Sequence, residues 1–131
     1  MADKVKLIKD CFEAFGRGDV AFIVAQVTDD VDWRGSEAAE LPYRGNYKGP
    51  QGVGQFFTAM AGALDVKTWE PKRVFATGED VVATGAWSAT VKSTGRSFAS
   101  QWAMVFGFRG DKIASFHVFE DSAMAAAAFR A

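Results

Sequence analysis

Two residues near the end of the chain can move protons: His117 and Glu120, in an alternating run over 112–120 that is followed by Asp121. Imidazole titrates near neutrality and is a common general base. A carboxylate in a dry aromatic setting has its pKa raised and exchanges protons in the same range. Three residues apart on a strand, the two side chains face opposite ways. Which one enters depends on the turn at Arg109-Gly110-Asp111-Lys112. A two-residue loop puts His117 and Phe119 beside Met104 and Trp102. A three-residue loop puts Phe116, Val118 and Glu120 there instead, because a one-residue slip exchanges the faces. On the outside, His117 reads as a solvated or interface residue; at the strand end, Glu120 also reads as a rim carboxylate. Asp121 precedes Ser-Ala-Met-Ala and reads first as a helix N-cap.

A second group lies in or beside the irregular stretch 34–49. Arg34 can meet a ligand carboxylate or enolate, and Tyr43 or Tyr47 can donate a hydrogen bond. Glu37 adds a carboxylate. Each also reads as surface loop. Trp33, Trp87 and Trp102 line either a ligand slot or an ordinary core. One histidine and one cysteine do not make a metal site, and Cys11, in an apolar helical stripe, reads as a buried inert thiol. Gly16-Arg17-Gly18 lies between helices and is a turn rather than a phosphate loop.

The elements that hold these residues follow from periodicity. Asp3 caps a helix to about Phe15, with Leu7, Ile8, Cys11, Phe12 and Phe15 on one stripe. Asp19 caps a short helix over 20–26, and Val31-Asp32-Trp33 is a first short strand. Pro50 opens a third helix with the stripe Val53, Phe56, Phe57, Met60 and Leu64. Strands are predicted over about 66–76, 81–92, 97–108 and 112–120, then an Ala-rich helix. Thr94-Gly95 marks a hairpin turn. If those two residues alone form the loop, Trp87 faces Trp102 and Gly85 faces Met104. One hairpin face is then bulky and aromatic; the other (Thr84, Ala86, Ser88 against Ala99, Gln101, Ala103) is small and mildly polar. Consecutive strands without intervening helices predict an antiparallel sheet with helices on one face, an α+β domain. Its curvature would enclose a blind pocket.

The 131 residues suffice for one domain, and 49% hydrophobic with 24% charged residues is ordinary globular composition. A net charge of −1 without a basic cluster argues against nucleic acid. No run approaches the ~18 apolar residues of a membrane span, and no apolar leader opens the chain, so a cytoplasmic location is the expectation.

Gly18-Asp19, Thr28-Asp29-Asp30-Val31-Asp32-Trp33, Leu41-Pro42-Tyr43-Arg44-Gly45-Asn46-Tyr47-Lys48-Gly49, Thr94-Gly95-Arg96, Gln101-Trp102 and Phe119-Glu120-Asp121-Ser122-Ala123 occur in order along the chain. In this ordered set the whole chain resembles the SnoaL-like branch of the nuclear transport factor 2-like superfamily. The resemblance implies a cone-shaped α+β barrel, a curved antiparallel sheet wrapped around N-terminal helices, and pairing through the exposed sheet face. It favours Phe116, Val118 and Glu120 inward. It also subtracts function. The ketosteroid isomerase's oxyanion tyrosine would fall near Cys11, its base near Gly35 and its protonated aspartic acid near Met104. The polyketide cyclase's aspartate would fall near Val118, and the epoxide hydrolase's arginine and aspartate have no counterpart. The predicted function is cofactor-independent acid/base catalysis on an apolar oxygenated ligand, of isomerase, cyclase or epoxide hydrolase type. Glu120 is its proton carrier, with His117 the weaker candidate. Trp33, Arg34, Glu37, Tyr43, Tyr47, Trp87, Trp102, Met104, Phe116 and Val118 are the predicted ligand contacts. The alternative is a homodimer that binds small hydrophobic ligands without catalysis.

Overall fold

In the computed structural model, which describes residues 3–130, six strands form one curved, open sheet against which the helices pack. Asp3 accepts from the Lys6 amide at 3.0 Å and starts α1 (Lys4–Gly16); Asp19 accepts from Phe22 at 3.2 Å and starts α2 (Val20–Val24). β1 (Val27–Arg34) follows, longer than its sequence pattern suggests, and β2 (Asn46–Lys48) emerges from the irregular stretch. α3 (Gly49–Ala63) carries Pro50 in its first turn. Then come β3 (Leu64–Thr77), β4 (Asp80–Val91), β5 (Ser97–Arg109), β6 (Lys112–Glu120) and α4 (Ser122–Phe129), the last capped by Asp121.

The strand order is β2-β1-β6-β5-β4-β3. β3 to β6 run antiparallel in sequence, as expected, but β1 joins β6 in parallel, with Trp33 beside Phe116. β2 and β3 remain edges, so the barrel is not closed. β3 manages its edge with Pro71 and two register shifts that bend it.

Two registers differ from the simplest reading of the sequence. The β4–β5 loop is longer than Thr94-Gly95: Gly95, at φ +74°, donates to the Val91 carbonyl, and Val91 donates to Arg96. The loop is held from outside, by Lys92 bonding the last carbonyls of α3 and by Thr94 donating to the Ala128 carbonyl at 2.7 Å. Trp87 therefore faces Ser100, and Trp102 faces Gly85 rather than Trp87. A slip of two leaves every side chain on its predicted face. In β5–β6 the loop is the two-residue Gly110-Asp111, yet Phe116, Val118 and Glu120 point inward. A bulge at Ala114 inserts one residue between the pairs Phe108–Ile113 and Gly107–Ser115 and reverses the faces.

The core lies between the inner sheet face and α1 and α3. The Trp102 indole crosses directly over Gly85, where an added Cβ would come within 2.4 Å of the ring and 2.5 Å of the Glu70 carbonyl. It stacks on Trp69 at 4.9 Å and meets Phe12 edge-on at 5.5 Å. Large against small is here interdigitation. Gly85→Ala is expected to destabilise the fold by about 1–3 kcal/mol through overpacking. Gly54→Ala, in α3 with nothing within 4 Å of the new Cβ, is expected to stabilise it by about 0.5–1 kcal/mol. Denaturant unfolding of both variants checks the contrast.

Candidate functional site

Between the aromatic stripe of the sheet and helices α1 and α3 the core leaves a cavity of about 70 Å³. Its walls come from helices, sheet and loop, with Ile23 of α2 among them. α1 gives Phe12, and α3 gives Phe56 and Met60; the sheet gives Trp33, Trp102 and Phe116; the loop after β1 gives Ser36 and Tyr43. Trp33 and Phe116 stack at 4.0 Å across the parallel β1–β6 pair and form one continuous wall.

Glu120 supplies the charge. It ends β6 opposite Trp102, and the Ser36 hydroxyl donates to its Oε1 at 2.7 Å. Ser36 is held there by a closed loop, since Gly35 donates to Gly45 and Gly45 donates back to Ser36, both at 2.9 Å. Gly45 sits at φ +92°, where a side chain would be strained. Burial pushes the Glu120 carboxyl above the usual carboxylate range and Asp121 adds to the rise, while the Ser36 hydroxyl opposes it. The phenol of Tyr43, a residue only 2% exposed, has no hydrogen-bond partner among the described residues. Burial raises its pKa, and the Glu120 charge raises it further. The phenol therefore stays protonated and remains a donor. Cys11 also lines the cavity, and burial, aided by Asp10, pushes its thiol up to about 12, so it is not a nucleophile near neutrality.

Of the residues singled out from the sequence, Trp33, Tyr43, Trp87, Trp102, Met104, Phe116, Val118 and Glu120 line this cavity together. Four others do not. Arg34 is exposed and pairs with Asp32 at 3.5 Å, and Glu37 faces solvent. Tyr47, in β2 beside Trp33, packs edge-on against Phe56 at 5.4 Å and does not reach the cavity. His117 lies on the outer sheet face with its ring 4.1 Å from that of Phe119. Ser36 and Trp69 join the site without having been singled out. Ser36 reaches Glu120 only because the loop folds back. Trp69 sits in a mostly exposed edge strand, where nothing marks it as inward. Among the described residues, no three His, Cys, Asp or Glu side chains gather as metal ligands, and no helix is long and apolar enough to cross a membrane.

A family model for the SnoaL-like domain matches residues 8–116. The chain belongs to that family. No curated protein matches the SnoaL-like chain. Among solved structures it is similar to a nuclear transport factor 2-like protein of Burkholderia thailandensis, with 26% identity over 100% of both chains and a TM-score of 0.90. It is similar in fold to TerC, crystallised with polyporic acid, at 17% identity over 98% of each chain and a TM-score of 0.82. A candidate polyketide cyclase of Xanthomonas campestris pv. campestris shares the fold at 18% identity, over 97% of this chain and 96% of that one, with a TM-score of 0.82.

The burial of Glu120, which outweighs the Ser36 hydrogen bond, sets the sign of a pH dependence. An acid whose folded pKa lies above its unfolded value contributes stability that is complete below the unfolded pKa and is lost as pH rises through the folded pKa. Glu120→Gln is thus expected to gain stability over the wild type above that window and no advantage well below it. Ser36→Ala, which removes the hydroxyl that holds the Glu120 pKa down, is expected to push the window to higher pH. Unfolding at a series of pH values, with ¹³C carboxyl titration of Glu120, measures both.

Proposed function

We propose that this SnoaL-like protein is a cofactor-independent acid/base catalyst acting on a small, largely apolar ligand that carries oxygen. The observation that supports it is Glu120: a half-buried carboxyl with a raised pKa, oriented by Ser36, at the edge of an aromatic cavity that also holds an unpartnered phenol. In this reading Glu120 takes a proton from carbon next to a carbonyl and returns it elsewhere. The Tyr43 hydroxyl donates to the oxygen on which the charge develops, a role its raised pKa suits. Proton abstraction next to a carbonyl is the step that isomerase-type and aldol cyclase-type reactions share. The similarity in fold to a candidate polyketide cyclase and to TerC, crystallised with polyporic acid, supports the substrate class at the level of fold.

The test needs no known substrate. In D₂O, a panel of cyclic ketones is followed by NMR for exchange of hydrogens next to the carbonyl. The wild type is expected to accelerate exchange of at least one member. Glu120→Gln is expected to lose that acceleration by about 10²–10⁴-fold while the ketone still binds. Exchange at the wild-type rate in the variant removes Glu120 from the role.

Pairing of two copies through the outer sheet face is part of the same proposal. Phe119 is 52% exposed there, beside His117 and opposite Ala103, with Thr84 on the next strand. Such a surface favours cover. Cytoplasmic residence fits the unpaired Cys11. Sedimentation at micromolar concentration is expected to show a dimer that Phe119→Glu converts to monomer, and a monomeric wild type refutes the pairing.

A further inference from the structure

Three of the tryptophans that line the cavity carry buried hydrogen-bond donors without protein acceptors among the described residues. Trp33, Trp87 and Trp102 are each 5% exposed or less and all line it. None of their indole Nε1–H groups has an acceptor among the described residues. Trp69, stacked on Trp102, is the contrast: its Nε1–H donates to the Phe12 carbonyl at 3.1 Å. An indole nitrogen can only donate. A buried donor left unpaired costs free energy, and a native fold that keeps three on residues around one cavity calls for an explanation. Their natural complement is a molecule that brings acceptors and little else that is polar.

The charge in the cavity narrows that molecule further. Among the described residues no lysine, arginine or histidine lines it, and its one carboxyl is that of Glu120. An anionic ligand would meet no countercharge and a repelling neighbour. A hydroxyl-rich ligand such as a sugar would bring donors to a site already full of them. We infer that Trp33, Trp87 and Trp102 form an acceptor-reading array whose ligand is a neutral ring compound with at least two carbonyl or ether oxygens held by indole N–H groups. This rests on the reading of the cavity as a small-molecule site and specifies which class of oxygenated compound enters. Size sets a limit as well: about 70 Å³ is below the ~150 Å³ in which a benzene ring settles. A ring must therefore displace Met60 or Met104, the half-buried flexible side chains of the wall.

The probe is 2,6-dimethylpyran-4-one, with mesitylene as a hydrocarbon of similar shape. In ¹H–¹⁵N spectra of the full chain, the pyranone is expected to move at least two of the Trp33, Trp87 and Trp102 indole protons downfield. Trp69, already bonded to Phe12, serves as the internal reference and is expected to move less. Mesitylene is expected to bind without a downfield shift at any indole. Tryptophan-to-phenylalanine substitution at 33, 87 and 102 in turn, in variants that retain the wild-type fold by dispersion of their spectra, is expected to weaken the pyranone about 10-fold in at least two of the three. Mesitylene should change by less than about twofold. Failure of the pyranone to bind at millimolar concentration, binding without downfield indole shifts, or equal losses for both probes overturns the inference. Proton transfer by Glu120 is read separately, by the ketone exchange. A protein that passes the indole test and exchanges no ketone hydrogen keeps the array and loses the catalytic role, and the reverse pattern keeps Glu120 and loses the array.

Discussion

One unpaired residue, Ala114, decides which side chains of β6 enter the molecule. The ladder leaves the Gly110-Asp111 turn in a register that would bring His117 inward, and the bulge between Phe108–Ile113 and Gly107–Ser115 shifts it by one. From there to the end of the strand, Phe116, Val118 and Glu120 face the helices and His117 and Phe119 face outward. The Trp33–Phe116 stack, the Ser36–Glu120 bond and the edge of the cavity all depend on that shift. So does the exposure of Phe119 on the outer face. The space for the bulge comes from Gly107: a Cβ there would meet the Ser115 hydroxyl at 2.3 Å. Glycine in a strand interior weakens the strand itself, and such positions commonly mark a bulge or a close approach.

The same economy of small residues sets how much of the interior stays open. Gly85 lets Trp102 lie flat across β4 and reach Trp69 on the next strand, which fills most of the volume that aromatic side chains opposite Gly and Ala could have enclosed. What remains is narrow, and its walls are rings locked by edge-to-face and stacked neighbours. Phe56, for example, meets Trp33, Tyr43, Tyr47 and Phe57 within 6.3 Å. Interlocked rings of this kind hold their positions well, because few rotamers are free of clashes. The polar groups set among them are accordingly fixed in place, and Ser36 is fixed by a loop that closes on itself.

The parts legible in the sequence are those governed by local periodicity and capping. Asp3, Asp19 and Asp121 cap the helices that follow them, and the two faces of the β4–β5 hairpin are as alternation requires. Alternation does not count loop residues, and the hairpin register is off by two because Lys92 and Thr94 are tied to α3 and α4, partners distant in sequence. The inward face of β6 could not be chosen by counting alone, since a two-residue turn with a bulge equals a three-residue turn in its outcome. The parallel β1–β6 pairing is a contact between chain ends that no local pattern encodes. Ser36 belongs to the same class: a common residue in an irregular loop, made relevant by a carboxylate 84 positions away. Arg34, Glu37 and Tyr47 had the right chemistry and the right segment, but Arg34 and Glu37 are exposed at the exit of β1 and Tyr47 packs against Phe56 short of the cavity.

Charge bookkeeping within the cavity ties its parts together. Burial raises the pKa of both Glu120 and Tyr43, and the charge on Glu120 raises the pKa of Tyr43 further. The site thus holds one negative charge with difficulty and a second far less readily. In the proposed transfer, a proton passing from a neutral ligand to ionised Glu120 moves the existing charge onto the ligand and creates no new one. Desolvation was already borne by the carboxylate when the chain folded. In that reading the ligand oxygen that receives the charge meets the Tyr43 hydroxyl, which has no hydrogen-bond partner among the described residues, and low local polarity makes such a donor more effective than in water. A site that disfavours its own charge and offers donors for that of its ligand lowers the barrier by the difference between the two. A second carboxylate among the rings would undo this, because it would raise the cost of the transferred charge at every stage.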